Sequence, residues 1–436
     1  MTISSRLPAS ALVGSRLVPS ILAGGAWDGD EAVSPPVGWM WTLPFNIVRH
    51  DSTFAPTNFD VSRYAPAGKA YYVATNGNDL ADGLTPATPL RKILTALGKA
   101  DVDVVYVAAG DYHRDYQWNV SPARNVAVIA TGGVVRSTVH QTGLSWVQDG
   151  TYTNTYKATR SNTIQLRDVL YSDSNGDSQK LTQLASADLV DAAPGSWCID
   201  GSNVVYVRLS DDRVPDADLR IYLAGINNGL VTGNVHVYAE GIVFEGGGSP
   251  FRAATSGAGQ DQRIYFKNCQ FKYGTDNGLT VLGSALVIAQ GCVSAKNWQD
   301  GFNYHVQNAV IPNAIEINCV GRDNGAVNGT ANDNGSSIHD GGNIVRLNGE
   351  YYRNVGPNVI DIGPSLSWNL GTYAHDSASD VVGLDNNFSI TGTMWCDRCR
   401  STGSTYDYVA AAASTLYKRL CIGDASDNGA GTVGAY

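Results

Sequence analysis

Basic residues, glutamate, methionine and long apolar runs are all scarce in this chain. Lys and Arg number 30 against 40 for Asp and Glu, only 16% of the 436 residues are charged, and the formal net charge is -10. Because the composition has no basic excess, we expect no nucleic-acid partner. No run of 18 apolar residues occurs, so we expect no membrane insertion. The first 25 residues lack the charged-then-apolar layout of a secretory signal, so we do not expect export by the Sec route.

The acidic residues are nearly all aspartate, because glutamate occurs only at positions 31, 240, 245, 316 and 350. Asp favours turns and loops, and the 48 Gly residues favour them as well. This composition is typical of a β protein that is dense in turns. We therefore expect much of the negative charge to serve turns and bound cations rather than catalysis.

The seven cysteines are an odd number, so they cannot all pair with one another. Cys269, Cys292 and Cys319 fall at the same place in three successive repeats, which favours stacking as small core residues over a ladder of disulfides. Cys396 and Cys399 form the only close pair, and no second Cys or His pair accompanies them as a zinc site would require. We therefore expect no required cofactor, and we assign no metal ligand.

One short phrase returns throughout the second half of the chain: alternating apolar residues, a Gly or Asn, and a second apolar run. It recurs about every 23 to 43 residues, as in a solenoid built from short coils, with its corner residue at Gly241, Asn268, Gly291, Asn318, Gly349 and Gly392. Alternation of period two excludes a helical solenoid and predicts a parallel β-helix, whose coils must stack to share a core. The fold class that we expect is all-β, a right-handed parallel β-helix.

The pattern divides the chain into five regions. We expect an N-terminal attachment or capping region, the first coils, an inserted β-rich region that includes a hairpin with its turn at Asp200 and Gly201, the main coils, and a C-terminal tail or cap in which the repeat fades beyond Trp395. The respective bounds are 1–68, 69–142, 143–225, 226–400 and 401–436.

The stretch from Ala70 to Leu97 is the most distinctive phrase in the sequence. A strand runs into a Gly/Asn/Asp turn, and Thr88-Pro89 then caps a short helix with apolar residues at 90, 93, 94 and 97. The stretch resembles the opening motif of right-handed parallel β-helix proteins of the pectate-lyase-like class, which includes phage tailspikes. The resemblance implies a helix that plugs the N-terminal end of the solenoid, a bacterial polysaccharide as partner, a homotrimer, and a location in a virion tail or outside the cell after lysis.

Four predicted strands carry the candidate catalytic residues when successive coils are laid in register. They are 278–282, 301–305, 335–339 and 358–361. In this alignment Val281, Tyr304, Ile338 and Ile360 face inward, whereas Leu282, His305, His339 and Asp361 face outward about 4.8 Å apart. Asp340 follows one of these strands, and Asp276 and Asp300 precede two others. The catalytic candidates are therefore Asp361, Asp340, His339, His305 and Asp300.

Two chemistries remain open for this column. Glycosidases need two carboxyl groups about 5–5.5 Å or 6.5–9.5 Å apart, whereas a lyase needs a base such as His and a cation or Arg that neutralises a uronate. Arg346 is the candidate cation, Tyr304 and Trp368 are candidates for stacking on sugar rings, and Asp276 is a further substrate-binding candidate. The structural alternatives are turn formation for Asp276 and Asp300 and a side-chain ladder for the two histidines.

The segment from Gln299 to Val306 is also similar to the Asp-Gly-Phe-Asp-Pro-His-Glu phrase of alginate C5-epimerases. Asn303 and Val306 stand where that family has its Asp and Glu, so only His305 carries over. Our first expectation is a phage-type tailspike that acts as a glycoside hydrolase on a bacterial surface polysaccharide. The alternatives are a lyase or epimerase that acts on a uronate polymer, and a non-catalytic glycan-binding adhesin. The loop Gly321–Asn334 could line the substrate groove or hold Ca²⁺.

Overall fold

The computed structural model describes residues 30–225, 228–325, 333–379 and 384–436. Two compact units result: an insertion unit, His140–Ala224, and a solenoid unit, which comprises the described parts of Gly24–Val139 and Gly225–Tyr436. Residues 1–29 of the expected N-terminal region lie outside the described residues. Residues 326–332 of the expected Ca²⁺-binding loop lie outside them too.

The solenoid unit consists of three parallel sheets, which the chain visits in the order C, A, B in each coil. Sheet C is formed by Gly229–Thr232, Phe251–Ala254, Leu279–Leu282, Phe302–His305, Ser336–Ile338, Val359–Asp361, Asn386–Ile390, Tyr406–Ala410 and Ser426–Asn428. Sheet A is formed by Ala70–Val73, His236–Glu240, Arg263–Lys267, Leu286–Gln290, Asn313–Ile317, Asn343–Leu347, Leu366–Leu370, Thr393–Asp397, Thr415–Arg419 and Thr432–Ala435. Sheet B is formed by Ile242–Glu245, Gln270–Lys272, Val293–Ala295, Val320–Arg322, Glu350–Tyr352, Tyr373–His375, Arg400–Thr402 and Ile422–Gly423.

Two longer strands, Val104–Tyr112 and Val126–Thr138, form the first coils; the second of them pairs with strands of both sheet A and sheet B. A parallel β-helix is therefore present, as the sequence predicts. Strands up to Thr432–Ala435 still pair with the coil before them, so the expectation that the repeat fades beyond Trp395 is wrong.

The corner between sheets A and B explains the recurring Gly or Asn at four of the six predicted positions, Gly241, Asn268, Gly291 and Asn318. The other two are wrong, because Asn348 and not Gly349 has the positive φ in its coil, and Gly392 lies between a strand of sheet C and one of sheet A. Asn268 has φ 52° and Gly291 has φ 66°, a left-handed conformation that Gly and Asn adopt more readily than other residues. A Cβ atom at Gly291 would also clash with the side-chain oxygen of Asn268 in the preceding coil. The sequence repeat is thus a repeat of backbone geometry.

Side chains that point into the coils form one continuous apolar core. Its members include Cys269, Cys292 and Cys319, which are fully buried, and all seven cysteines of the chain are free thiols. The predicted inward stacking of these three residues is confirmed. The short helix Ile93–Leu97 buries Ile93, Ala96 and Leu97 in the same core. Its N-cap is Lys92, so the predicted cap at Thr88-Pro89 is wrong.

Residues 30–65 cover the outer face of sheet A. They contain an antiparallel sheet of Glu31–Val33, Ile47–His50 and Thr53–Pro56, followed by the 3₁₀ helix Val61–Tyr64. A second apolar cluster joins Phe54, Phe59 and Val61 of this segment to outward residues of sheet A such as Tyr265 and Trp368. The described part of the N-terminal region thus packs along the side of the coils.

The insertion unit is a separate β structure. Its strands are Val147–Gln148, Tyr156–Thr159, Thr163–Ser172, Ser178–Lys180, Thr182–Gln183, Ser196–Ile199, Val204–Arg208 and Leu219–Leu223, and its helix is Ala187–Ala192. Ser196–Ile199 pairs antiparallel with Val204–Arg208, which confirms the predicted hairpin with its turn at Asp200 and Gly201. No helix in the described parts of the chain is long and apolar enough to cross a membrane.

Candidate active site

Two neighbouring strands of sheet C, Phe302–His305 and Ser336–Ile338, place a cluster of polar side chains on its outer face. Val281, Tyr304 and Ile338 are paired in register and point inward, as predicted. Successive side chains alternate between the two faces of a strand, so Asn303, Ser337 and their neighbours two residues on point outward. We call the group Asp300, Asn303, His305, Ser337, His339 and Asp340 the outer polar cluster.

Two stacked imidazoles form the solvent-facing part of this cluster. The ring centroids of His305 and His339 lie 4.1 Å apart with an interplanar angle of 19°. The Nδ1 atom of His305 is 2.9 Å from Oδ2 of Asp340, whose side chain is 56% exposed. Because a carboxylate only accepts, Nδ1 of His305 carries the proton, and Nε2 of the neutral ring is left as a base.

His339 is the more deeply buried of the two rings. Burial, together with the neighbouring His305, lowers the pKa of His339 to about 4, so the ring is neutral at neutral pH. Its Nε2 atom lies 3.3 Å from Oγ of Ser337 and 3.4 Å from Nδ2 of Asn303. Ser337 donates its one hydroxyl proton to Asp300, so its Oγ can only accept from Nε2, and this contact places the proton of the neutral His339 ring on Nε2.

Asp300 is the buried hydrogen-bond acceptor of the outer polar cluster. Its Oδ2 accepts hydrogen bonds from Nδ2 of Asn303 at 2.7 Å and from Oγ of Ser337 at 2.6 Å, and its Oδ1 accepts from the backbone N–H of Asn334 at 2.7 Å. Burial raises the pKa of Asp300, while these hydrogen bonds act in the opposite direction. The carboxyl group is only 6% exposed, so its immediate effect is to orient Asn303 and Ser337.

The amide oxygen of Asn303 is an unusual feature of this site. It is buried and has no hydrogen-bond partner among the described residues. Buried polar atoms in folded proteins are nearly always paired, because an unpaired one costs about 1–3 kcal/mol. The amide is held in this position because its nitrogen donates to Asp300.

The predicted outward position of Asp361 is wrong. The alignment from sequence places Ile360 beside Ile338, whereas the structure pairs Asp361 with Ile338 and Ile360 with Ser337. A shift of one residue moves a side chain to the other face of a sheet, so Asp361 points into the core, where it is fully buried.

Arg346 explains why a carboxylate is tolerated there. Its Nη1 and Nη2 atoms donate to Asp361 at 2.9 and 2.8 Å, and its Nε donates to Oγ of Ser336 at 2.9 Å. Ser336 in turn donates to Glu316, which also accepts from the hydroxyl of Tyr351. Burial raises the pKa of Glu316, and the Arg346 charge opposes that shift. Arg346 is fully buried and does not reach the surface as a substrate cation would.

The other substrate-binding candidates also lie away from the outer polar cluster. Tyr304 points inward and is fully buried, and Trp368 is 1% exposed beneath Trp39 of the N-terminal segment. Neither ring can stack on a sugar at the surface in this arrangement. Asp276 lies at the corner before Leu279–Leu282, where its backbone bonds to Gly248 and Gln299. No hydrogen bond joins its carboxylate to the cluster.

The sequence analysis missed Asn303 and Ser337 as members of the site. The signal was available, because both residues precede a candidate histidine by two positions and therefore share its face of the strand. Glu316 could not have been placed, since its partners come from three other strands. Among the described residues, no group of three or more His, Cys, Asp or Glu side chains is arranged to hold a metal ion.

Comparison with known proteins supports the fold. A protein described as "Glycoside hydrolase" matches with a TM-score of 0.53 at 11% identity, over 84% of this chain and 96% of that one. Pectate lyase Pel9A matches with a TM-score of 0.41 at 12% identity, over 84% of this chain and 78% of that one. The tailspike protein gp49 from Pseudomonas phage LKA1 matches with a TM-score of 0.24 at 13% identity, over 78% and 74%.

The three parallel sheets, together with the likeness to the glycoside hydrolase, identify the chain as a right-handed parallel β-helix protein, which confirms the fold expected from the sequence. At such low sequence identity, a structural likeness describes the fold and not the activity of this chain. No family model matches the chain, and no curated protein matches it significantly.

Proposed function

We propose that this protein is an enzyme that cleaves an acidic bacterial polysaccharide by β-elimination, with His305 as the general base. The observation that carries the proposal is the His305–Asp340 contact on the exposed face of sheet C. It leaves the second ring nitrogen of His305 without a hydrogen bond to a described residue, on a side chain that is 32% exposed. A base held by a carboxylate in this way is suited to proton abstraction near neutral pH.

The outer polar cluster supplies the base for the first step of an elimination. Nε2 of His305 would take the proton from C5 of a uronic acid, the C4–C5 double bond would form, and the C4–O4 bond would break. The departing oxygen would receive a proton from solvent. His339 stays neutral at neutral pH, so it adds no positive charge that would oppose proton transfer to His305.

The test is to incubate the protein with capsular polysaccharides, O-antigens and uronate polymers while new reducing ends and the ultraviolet absorbance of unsaturated uronates are followed together. Elimination raises both signals. His305→Gln should lower the rate about 10²–10⁴-fold, the range for loss of a general base. Asp276→Asn is the matched control, because that carboxylate has no contact with the cluster, and it should retain activity.

A glycoside hydrolase is the second candidate, and the raised pKa of the buried Asp300 favours it. Burial moves this pKa in the direction that a general acid requires, while the three hydrogen bonds to the carboxylate oppose the shift. Asp340 would then be the second carboxylate. Reducing ends without absorbance would establish hydrolysis, contradict the elimination, and make Asp300→Asn and Asp340→Asn the decisive variants.

We further propose that the enzyme is a homotrimeric tailspike that acts on the surface of a bacterial cell as part of a virion. Support comes from the resemblance of residues 70–97 to the opening motif of tailspike-type β-helices. Light scattering should then give a mass of three 46.3 kDa chains. A monomer would contradict the trimer without affecting the elimination. Binding of a glycan without turnover would instead favour the adhesin alternative.

A further inference from the structure

The strands of sheet C carry one strongly basic side chain. Arg252, in the strand Phe251–Ala254, is the only Lys or Arg in the nine described strands of this sheet. Its neighbours Phe251 and Ala253 are fully buried in the core, so the Arg252 side chain points outward, and it is exposed. The outer polar cluster lies on the same face. A positive charge and the candidate base therefore share one side of one sheet.

The pairing of the strands places Arg252 in line with this cluster. The residues that follow one another in register are Arg252, Thr280, Asn303 and Ser337. Neighbouring strands lie about 4.8 Å apart, so the Cα atoms of Arg252 and Asn303 are separated by about 9.6 Å. His305 lies two residues further along its strand, which puts its Cα atom about 12 Å from that of Arg252. At this separation, two long side chains that lean towards each other can contact the same sugar unit.

The row that begins at Arg252 is polar throughout and ends at an apolar side chain. Oγ1 of Thr280 lies 2.6 Å from Oγ of Ser249, so a hydrogen bond fixes the first hydroxyl of the row. Beyond Ser337, the next residue in register is Ile360. A polar substrate at the candidate base therefore finds hydrogen-bonding groups on the Arg252 side and an apolar surface on the opposite side.

Arg252 has no counter-ion among the described residues. No hydrogen bond or ion pair joins its guanidinium group to a residue that the structure describes, whereas Arg263 and Arg353 each pair with an aspartate. The exposed carboxylate of the cluster, Asp340, is in contact with His305 instead. The Arg252 guanidinium is thus available to a ligand, and its planar fork of N–H donors matches the two oxygens of a carboxylate.

The proposed elimination requires a cation that the outer polar cluster itself lacks. Arg346, the cation expected from the sequence, is fully buried in the core, and His339 is neutral. Negative charge develops at C5 and on the uronate carboxylate as the C5 proton leaves, and the carboxylate of Asp340 lies beside the base. A cation close to the uronate carboxylate would stabilise that charge in the transition state.

We propose that Arg252 determines the specificity for an acidic substrate, because its guanidinium group donates two hydrogen bonds to the carboxylate of the uronate whose C5 proton His305 removes. This role rests on the proposed elimination and adds to it the residue that selects the substrate class. Arg252 stabilises the negative charge on the carboxylate while the C4–O4 bond breaks. A neutral sugar leaves the guanidinium without its partner and gains nothing from it.

The experiment measures binding and turnover separately. The acidic polymers are polygalacturonate, alginate and hyaluronan, and the neutral ones are methyl-esterified polygalacturonate and dextran. Binding to immobilised polymer is measured by surface plasmon resonance in the His305→Gln background, in which the polymer is not consumed. Arg252→Met should weaken binding of at least one acidic polymer at least about tenfold, which corresponds to about 1.4 kcal/mol, and should leave the neutral polymers within about twofold. Arg252→Lys keeps the charge but loses the fork of donors, so it should give an intermediate loss.

Arg400→Met is the matched control, because it removes one exposed positive charge from a strand of sheet B, and it should bind as its parent does. Equal weakening by Arg400→Met, undiminished binding by Arg252→Met, an equal loss on the esterified polymer, or no acidic polymer bound more tightly than dextran would overturn the assignment of Arg252.

Turnover distinguishes this assignment from the elimination itself. In the His305 background, Arg252→Met should lower kcat/KM for the acidic polymer at least about tenfold and leave that for its methyl ester within about twofold. Equal rates of unsaturated product from the parent and from Arg252→Met would refute the role of Arg252 and leave the elimination standing. Binding that depends on Arg252, without unsaturated product from the parent, would refute the elimination and support Arg252 as the residue that binds the carboxylate.

Discussion

Replacing Asp361 with asparagine is expected to destabilise the solenoid unit. The carboxylate accepts from two guanidinium nitrogens of Arg346 at 2.8 and 2.9 Å and from the backbone N–H of Ile338 at 3.2 Å. Both side chains of the pair are fully buried. Asparagine keeps the shape but removes the charge, which leaves Arg346 with Glu316 as its remaining acidic neighbour. Breaking a buried pair in this way costs about 3–5 kcal/mol.

The expected change in melting temperature follows from the size of the unit. At about 2.1 cal/mol/K per residue, a unit of about 330 residues has an unfolding entropy of about 0.7 kcal/mol/K. A loss of 3–5 kcal/mol then lowers the melting temperature by about 4–7 °C. Circular dichroism or scanning calorimetry at one fixed scan rate measures the shift, since unfolding of large proteins is often irreversible.

Asp340→Asn is the matched control for this prediction. Its side chain is 56% exposed, so the expected change in unfolding free energy is within about 0.5 kcal/mol. The double variant Arg346→Met/Asp361→Leu should recover much of the stability, because it removes both charges from the core. If Asp361→Asn melted within 1 °C of the parent and yet lost turnover, the carboxylate would serve chemistry, and its place in the core would be refuted.

Three further predictions concern the outer polar cluster. Asp340→Asn should lower kcat at least about tenfold, because an amide lacks the negative charge that holds His305 with its proton on Nδ1, and an unchanged kcat would contradict the dyad. The pKa of His339 falls from 6.5 to about 4 on folding. As the pH drops through this range, the unfolded chain binds a proton that the folded chain does not, so the folded state loses stability. The melting temperature of His339→Gln relative to the parent should therefore rise between pH 7.5 and 4.5, and a constant difference would disprove the shift. Ser337→Ala should cost about 1–3 kcal/mol in urea unfolding because buried Asp300 loses a donor, whereas Ser256→Ala at an exposed loop should cost under about 0.5 kcal/mol.

The fold and part of the site could be predicted because the geometry of each coil requires particular residue types at fixed places in the repeat. Left-handed corners at residues such as Asn268 demand Gly or Asn, and alternation fixes which residues of a strand point inward. This was sufficient to pair Val281, Tyr304 and Ile338 correctly. The predicted register of the strand in the next coil was wrong, because the alignment assumed that apolar residues stack on apolar ones.

The sequence pattern within one strand gives no information about contacts with residues that are distant in the chain. Asp361 points inward because Arg346, on another sheet, provides its counter-charge. In the same way, Trp368 has the pattern of an exposed aromatic, and it is buried because a segment more than 300 residues earlier in the chain covers it. Contacts between elements so far apart leave no period in the sequence.

The charged pair inside the coils also bears on how the chain finds its register. Coils of a β-helix are similar enough for one to add onto the wrong neighbour, or one residue out of step, with little loss of apolar contact. A slip of the Val359–Asp361 strand by one residue would turn Asp361 outward and leave the Arg346 guanidinium buried without it, at a cost of several kcal/mol. We therefore expect this ion pair to specify the register of its strand within a repetitive structure, because misaligned coils are less stable than the native arrangement while the chain folds.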